Sequence, residues 1–318
     1  MKEYCIGIDI GGTNTVFGVV DINGNFIMED SIPTKDYPTI SEFIEALAKV
    51  INENLDNISE DYVLKGIGIG APNGNYHNGT IEYAPNLNWE GIVPIADLLN
   101  NKFHVPVVLT NDANAAAMGE MIYGSAKGMK DFIVITLGTG LGSGFVVDGK
   151  IVYGHDGFAG ELGHVIYDPE GRLCGCGRKG CLETYASATG IVRTVWEMLE
   201  KSDEGSLLRN IDKDKLNSKD IYEAAVKGDK IALEAFDYTA LVLGRKLADA
   251  VAITSPEAIF LFGGLALAGD YILLPTKKYM EENLLQIYKN KVRVELSGLM
   301  GKNAAILGAA ALIWEEIK

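Results

Sequence analysis

Cysteine is scarce in this chain: 4 in 318 residues, beside 3 tryptophans and 4 histidines. Cys5 stands alone in an apolar run and reads as a small buried hydrophobe, so no disulfide is expected of it. Long hydrophobic runs are missing too. None approaches the ~20 residues a membrane helix requires, and a membrane is not an expected partner. No charged and apolar leader precedes the strand-like segment that begins by Tyr4, so a cytoplasmic location is expected. Basic residues are also short, 28 Lys plus Arg against 43 Asp plus Glu, which leaves a formal net charge of −15. Nucleic-acid binders displace phosphate counterions with a basic surface, so nucleic acid is not expected either. Anionic substrates stay open, because a local site can oppose the global charge.

What is present suits a globular α/β enzyme: 47% apolar residues, 37 glycines and enough length for two cores. Sliding the chain by 127 positions lays Ile6–Thr13 over Ile133–Gly140 and Gly18–Asp21 over Phe145–Asp148. Each copy reads as strand, glycine turn, returning strand and hairpin turn, which points to two related α/β domains facing one another. Chance overlap of apolar strands is the alternative. The repeat alone sets the expected cut: 1–111 with 303–318 as a smaller domain, and 112–302 as a larger one. Thr39-Ile-Ser-Glu42 forms a capping box, and Phe43, Leu47, Val50 and Ile51 keep helical spacing behind it. Strands are expected at 66–70, 107–110 and 258–262, and helices at 113–123, 187–201, 219–227, 229–253 and 304–317.

Three of the four cysteines fall within eight residues. Cys174, Cys176 and Cys181 lie among Gly175, Gly177 and Gly180, with His164 ten residues upstream of Cys174. Three thiolates and one imidazole satisfy the tetrahedral preference of zinc. A reduced, metal-free loop is the alternative, and the clustering favours a structural zinc site. Glu161 and Glu183 lie in the same segment, where the loop could aim them at a polar ligand.

Two glycine turns have the composition to approach phosphate oxygens. The first is Asp9-Ile-Gly11-Gly12-Thr13-Asn14, the second Gly138-Thr139-Gly140-Leu-Gly142. Neither is a Walker or Rossmann pattern, and one alone is more often a tight hairpin. Gly263-Gly264 after a third strand offers a flat surface for a nucleobase. Asp112, where strand 107–110 meets a helix, is the candidate general base. Asn111 and Asp112 suit a helix cap equally well, so cap and base both stay open.

Together these motifs resemble the ROK family of sugar kinases and repressors, in the actin-like ATPase superfamily. The resemblance spans essentially the full length, and its most specific part is the Glu-x-x-His…Cys-x-Cys-Gly-x-x-Gly-Cys-x-Glu run of 161–183. It implies two ribonuclease-H-like domains with a cleft between them and a zinc-bearing loop. ATP would lie in that cleft while a sugar hydroxyl attacks the γ-phosphorus. Asp112 then resembles the base, and Asn111, Glu161, His164 and Glu183 the sugar ligands. His164 would hold zinc on one ring nitrogen and sugar on the other. Asp9, Gly11, Gly12, Thr13 and Asn14 resemble the first phosphate loop, and Thr139 and Gly140 the second. Mg²⁺ would bridge phosphate oxygens.

Only eight residues precede Asp9, too few for the DNA-reading module of family repressors, so a kinase is expected over a sensor. The 8–14 opening and Ala84-Pro-Asn-Leu-Asn-Trp89 resemble ROK glucokinases, and glucose is the expected acceptor. Asn86 either touches that sugar or sits in a packed loop closed by Trp89. Asn73 stands where the glucokinase pattern has glycine, which leaves N-acetylglucosamine, N-acetylmannosamine and fructose open. A homodimer is implied by the family.

Overall fold

The structure is a computed structural model that describes residues 1–301 and 303–317. In chain order the first elements are β1 (Lys2–Ile10), β2 (Thr15–Asp21), β3 (Phe26–Ile32), α1 (Ile40–Asp56) and β4 (Tyr62–Gly70). Three short strands follow, β5 (Gly74–Asn75), β6 (Thr80–Glu82) and β7 (Ile92–Val93). After them come α2 (Ile95–Phe103), β8 (Val107–Thr110) and α3 (Asp112–Tyr123). Then come β9 (Phe132–Leu137), β10 (Leu141–Val147), β11 (Lys150–Ile151), α4 (Ala188–Lys201), α5 (Ser218–Val226) and α6 (Lys230–Thr254). The chain closes with β12 (Ala258–Phe262), α7 (Asp270–Asn283), β13 (Arg293–Leu296) and α8 (Ala304–Glu316). Among the described residues no helix is long and apolar enough to cross a membrane.

Local chemistry sets the boundaries. Thr39 caps α1 through its hydroxyl on the Glu42 N–H, and the Glu42 carboxylate accepts back from the Thr39 N–H, the reciprocal box the spacing predicts. Phe43, Leu47 and Ile51 of α1 are buried with Ile6, Ile8 and Ile67 of the first sheet.

The chain divides into two compact units. One holds residues 1–128, 151–159 and 301–318, the other 129–150 and 160–300. Helix α3 belongs to the first unit, whereas the cut expected after residue 111 gave it to the second. The reason is packing, since α3 lies against α8 and β4.

Each unit carries a five-stranded sheet with the same topology, β3-β2-β1-β4-β8 in one and β11-β10-β9-β12-β13 in the other. In each, the first strand pairs antiparallel with the second and parallel with the fourth. The sequence echo is therefore a structural repeat. Its offset slips in the returning strand: Gly7 pairs with Gly18, but Val134 pairs with Gly144. The second glycine turn is one residue tighter, so the overlay of Gly18 on Phe145 misses the register by one.

Bare backbone lets α8 lie on the first sheet. A Cβ on Gly7 would run into the Ile306 carbonyl, and one on Gly68 into the Ala309 carbonyl. Gly308 of α8 makes the same close approach to the Ala115 carbonyl of α3. Overpacking such a contact costs about 1–3 kcal/mol or more, because backbone rather than a flexible side chain must move. Gly68→Ala is expected to lower the unfolding free energy by about 3 kcal/mol in urea titrations. Gly205→Ala, where an added Cβ meets nothing within 4 Å, should leave the midpoint unchanged.

Candidate active site

In the first unit, β1, β4 and β8 run parallel, with Asp9 opposite Gly70 and Gly70 opposite Thr110. Asp9 and the Asn111-Asp112 pair therefore leave the same edge of the sheet, on either side of Gly70. A Cβ on Gly70 would lie 3.7 Å from Asp9 Oδ1 and 3.8 Å from Asp112 Cα, so bare backbone forms the floor between two acids.

Of the two candidates for the cap, one takes it. Asn111 is the N-cap of α3, its Oδ1 accepting from the Asn114 N–H at 2.7 Å. Asp112 is the first helical residue, and its Oδ1 accepts from the adjacent Ala113 N–H at 2.9 Å. Asp112 keeps solvent-accessible surface, yet crowding by protein around its carboxylate raises its pKa, against smaller lowerings by the Ala113 N–H and its own N–H. Burial raises Asp9 to about 6, and the nearby Asp112 charge adds to that rise. Two acids with raised pKa values at one strand end make this the candidate site.

The turn after β1 is tied by the Gly11 N–H to the Asn14 carbonyl at 3.0 Å, leaving Thr13 and Asn14 exposed. Asn86 has backbone packed on this turn, where a Cβ on Gly12 would strike its carbonyl. Trp89 is buried, its ring 4.5 Å from Phe43 and its Nε1 donating to the Tyr37 carbonyl. The packed-loop reading of Asn86 thus accounts for its backbone, and its side chain stays exposed.

Asn73 has a plain explanation. Ala71-Pro-Asn-Gly74 is a turn with Pro72 at its second position, Asn73 at φ 51° and the Gly74 N–H on the Ala71 carbonyl at 3.1 Å. This third position requires a left-handed backbone, which glycine adopts freely and asparagine tolerates best among other residues. The Asn73 amide donates to the carbonyls of Glu82 at 2.9 Å and Tyr83 at 3.2 Å. Its NH₂ is spent on the β6 hairpin, and asparagine keeps the backbone shape that glycine would give.

In the second unit the glycine turn 138–142 joins β9 to β10, with the Gly138 N–H on the Gly140 carbonyl at 3.1 Å. Thr139 is exposed, its carbonyl accepting from the Thr189 hydroxyl, while a Cβ on Gly140 would sit 2.6 Å from Glu183 Oε2. Gly263, at φ 100°, crosses the end of β9 where a Cβ would meet the Leu137 carbonyl. Gly264 opens into a pocket of about 380 Å³ whose walls include Ser218, Lys219, Tyr222 and Glu223 of α5. Sequence reasoning missed those four. Their signal was the second face of α5, at i, i+1, i+4 and i+5, opposite the buried Ile221, Ala224 and Ala225.

His164, Cys174, Cys176 and Cys181 converge, with their ligand atoms all within 4.8 Å of one another. The Cys176 and Cys181 sulfurs are 3.5 Å apart, and Cys174 Sγ lies 3.7 Å from His164 Nδ1. A tetrahedron of ~2.3 Å zinc–sulfur bonds has edges of about 3.8 Å, so the donor set fits the ion. Burial pushes Cys176 up, but the Arg178 N–H and guanidinium and the other two thiols outweigh it and bring the thiol to about 6. Because Nδ1 faces the thiols, Nε2 is the other nitrogen, 4.0 Å from Glu161 Oε2. Glu183 Oε1 approaches both His164 Nδ1 at 3.8 Å and Cys174 Sγ at 2.9 Å.

Arg172, which sequence reasoning also missed, seats this loop. Its guanidinium holds Glu197 through two 2.8 Å bonds, the Thr184 and Gly190 carbonyls and the Thr194 hydroxyl, and lies 4.4 Å over the Tyr185 ring. A lone arginine before a cysteine carries no signal of that kind.

A model described as the ROK family matches residues 5–316. The chain belongs to the ROK family. A glucokinase of Halalkalibacterium halodurans is 36% identical over 99% of this chain and 96% of its own length. The crystal structure of a ROK family glucokinase from Streptomyces griseus in complex with glucose and AMPPNP is 35% identical, covers 98% of this chain and 99% of that one, and has a TM-score of 0.81. A xylose repressor of Bacillus spizizenii is 30% identical over 98% of this chain, which spans 77% of the repressor.

If Asn73 serves the turn alone, Asn73→Gly should leave the relative kcat/KM for different hexoses unchanged. Asn73→Ala should cost about 1–2 kcal/mol of stability by thermal denaturation, through its left-handed backbone.

Proposed function

We propose that this ROK-type sugar kinase transfers the γ-phosphoryl group of ATP to the 6-hydroxyl of glucose. The observation that carries the reading is the placement of Asp112 beside Asp9, with the capping duty taken by Asn111 and the Asp112 carboxylate left open. In the proposed reaction the sugar oxygen attacks the γ-phosphorus and its proton passes to Asp112. The raised pKa of Asp112 suits that task, since a base works best with a pKa near the operating pH. Among the described residues the Asn111 NH₂ has no partner, so it can donate to a sugar hydroxyl while its oxygen caps α3. Glu161, His164 through Nε2, and Glu183 complete the proposed sugar set.

Backbone amides at Gly11, Gly12 and Gly140, with Thr13, Asn14 and Thr139, would take phosphate oxygens. The pocket beside Gly263-Gly264 would take the nucleobase. Mg²⁺ on the nucleotide would neutralise phosphate charge, with Asp9 as the carboxylate nearest to hold it. Zinc on His164, Cys174, Cys176 and Cys181 would fix the His164 tautomer and ring direction. Deprotonated Cys174 would then cease to donate to Glu183, freeing that carboxylate for the sugar.

Glucose is favoured by the glucokinase relatives and by the turn at Asn73, which preserves the glycine-like rim. The repressor likeness supports a second reading, a non-catalytic sugar sensor, which gives no purpose to Asp112 or the paired phosphate turns. A cytoplasmic homodimer completes the proposal on family likeness.

An ADP-release assay across glucose, fructose, mannose, N-acetylglucosamine and N-acetylmannosamine tests the reading. Glucose should give the highest kcat/KM, and no turnover with any hexose would promote the sensor. Asp112→Asn should lower kcat about 10²- to 10⁴-fold without altering the thermal midpoint. Because the base is active only when deprotonated, kcat should fall as pH drops through the raised pKa of Asp112. That acid limb should disappear in the variant's residual activity. Cys181→Ser should abolish zinc content by metal analysis and raise the KM for glucose.

A further inference from the structure

We propose that Cys176 is an oxidant-reactive thiol that hydrogen peroxide joins to Cys181, in a disulfide that releases the metal and frees the His164 ring. The loop treats its cysteines unequally. Cys176 is exposed, whereas Cys174 is 3% and Cys181 0% exposed, so an oxidant in solution meets Cys176 first. The resolving partner is already in contact, with the two sulfurs 3.5 Å apart. Cys174 is otherwise engaged, facing Glu183 Oε1, His164 Nδ1 and the Cys176 N–H. Gly177 and Gly180, at φ 84° and 75°, leave the intervening backbone free of side chains where it must adjust.

The chemistry balances. Cys176 sulfur attacks one peroxide oxygen, the O–O bond breaks, hydroxide leaves and a sulfenic acid forms. Cys181 sulfur then attacks Cys176 sulfur, the S–S bond forms, the S–O bond breaks and a second hydroxide leaves. Each sulfur gives one electron, and the pair reduces peroxide to two hydroxides. Two of the four metal donors are thereby consumed. His164 loses the partner that fixes Nδ1, so the aim of Nε2 toward the sugar is lost as well.

This inference rests on the zinc reading above, and the test separates the two. Full-length protein carrying Cys5→Ser, which removes the one cysteine outside the loop, is assayed for zinc with a chelating dye and then titrated with hydrogen peroxide. Non-reducing peptide mass spectrometry maps any cross-link, and calorimetry measures glucose binding. Expected are a Cys176–Cys181 link, one zinc released per link and glucose affinity weakened about 10-fold, all reversed by a dithiol with added zinc. Brief treatment with a maleimide should label Cys176 before the other two. A link through Cys174, no link, or unchanged glucose affinity in the linked protein would overturn the proposal. Protein that never held zinc would overturn the metal reading instead. The peptide map and calorimetry would still decide, a Cys176–Cys181 link with weakened glucose binding supporting the oxidation site and its absence refuting it.

Discussion

The placement of Asp112 depends on three glycines that carry no side chain into the space a helix needs. Gly7 and Gly68 give α8 direct access to the backbone of β1 and β4, and Gly308 gives α3 the same access to α8. Helix α3 is apolar nearly all round, burying Ala113 through Glu120, so it can seat only where neighbours cover every side. With α3 fixed by this stack and its first turn capped by Asn111, Asp112 emerges at the strand edge beside Asp9. A carboxylate on a loop of equal length would lack that constraint, and positioning is the larger part of phosphoryl-transfer catalysis.

The second unit reaches the same end by other means. His164 sits in a single turn of 3₁₀ helix, Leu162–His164, too short to orient a side chain by itself. Convergence of three thiols on Nδ1 supplies the missing direction, and the Arg172 network holds the chain on which Cys174 lies. Gly140 presses against Glu183, so the phosphate turn and the acid proposed for the sugar share one contact. Loss of the zinc proposed for this cluster would therefore disturb the environment of both groups.

Much of this was legible because the governing interactions are local. The Thr39–Glu42 box, the end of β8, the limits of α4 and the cysteine–histidine convergence are all written within about twenty residues. The repeat was legible as well, since matching hairpins have matching periodicity. Its register slipped because turn length is a property of backbone geometry that an overlay at fixed offset cannot see. What escaped was non-local. Arg172 gains its meaning only when Glu197, Thr184 and Thr194 surround it, and the α5 wall of the pocket beside Gly264 only when Gly264 faces it. The domain cut missed α3 for the same cause, because packing against α8, nearly two hundred residues away in sequence, decides where that helix belongs.

Asn73 shows how a departure from a family pattern should be weighed. Judged as chemistry, replacing glycine by asparagine adds an amide near a sugar and argues for altered specificity. Judged as backbone, the position asks for a positive φ, and asparagine is the side-chain-bearing residue that meets the demand at least cost. The two hydrogen bonds to Glu82 and Tyr83 weigh toward the backbone view, because they occupy the NH₂ and leave only the Oδ1 to offer a ligand. The substitution preserves the turn. Specificity for one hexose over another must then be sought in other polar groups of the proposed sugar set, beginning with the Asn111 NH₂, which is not the atom that caps α3.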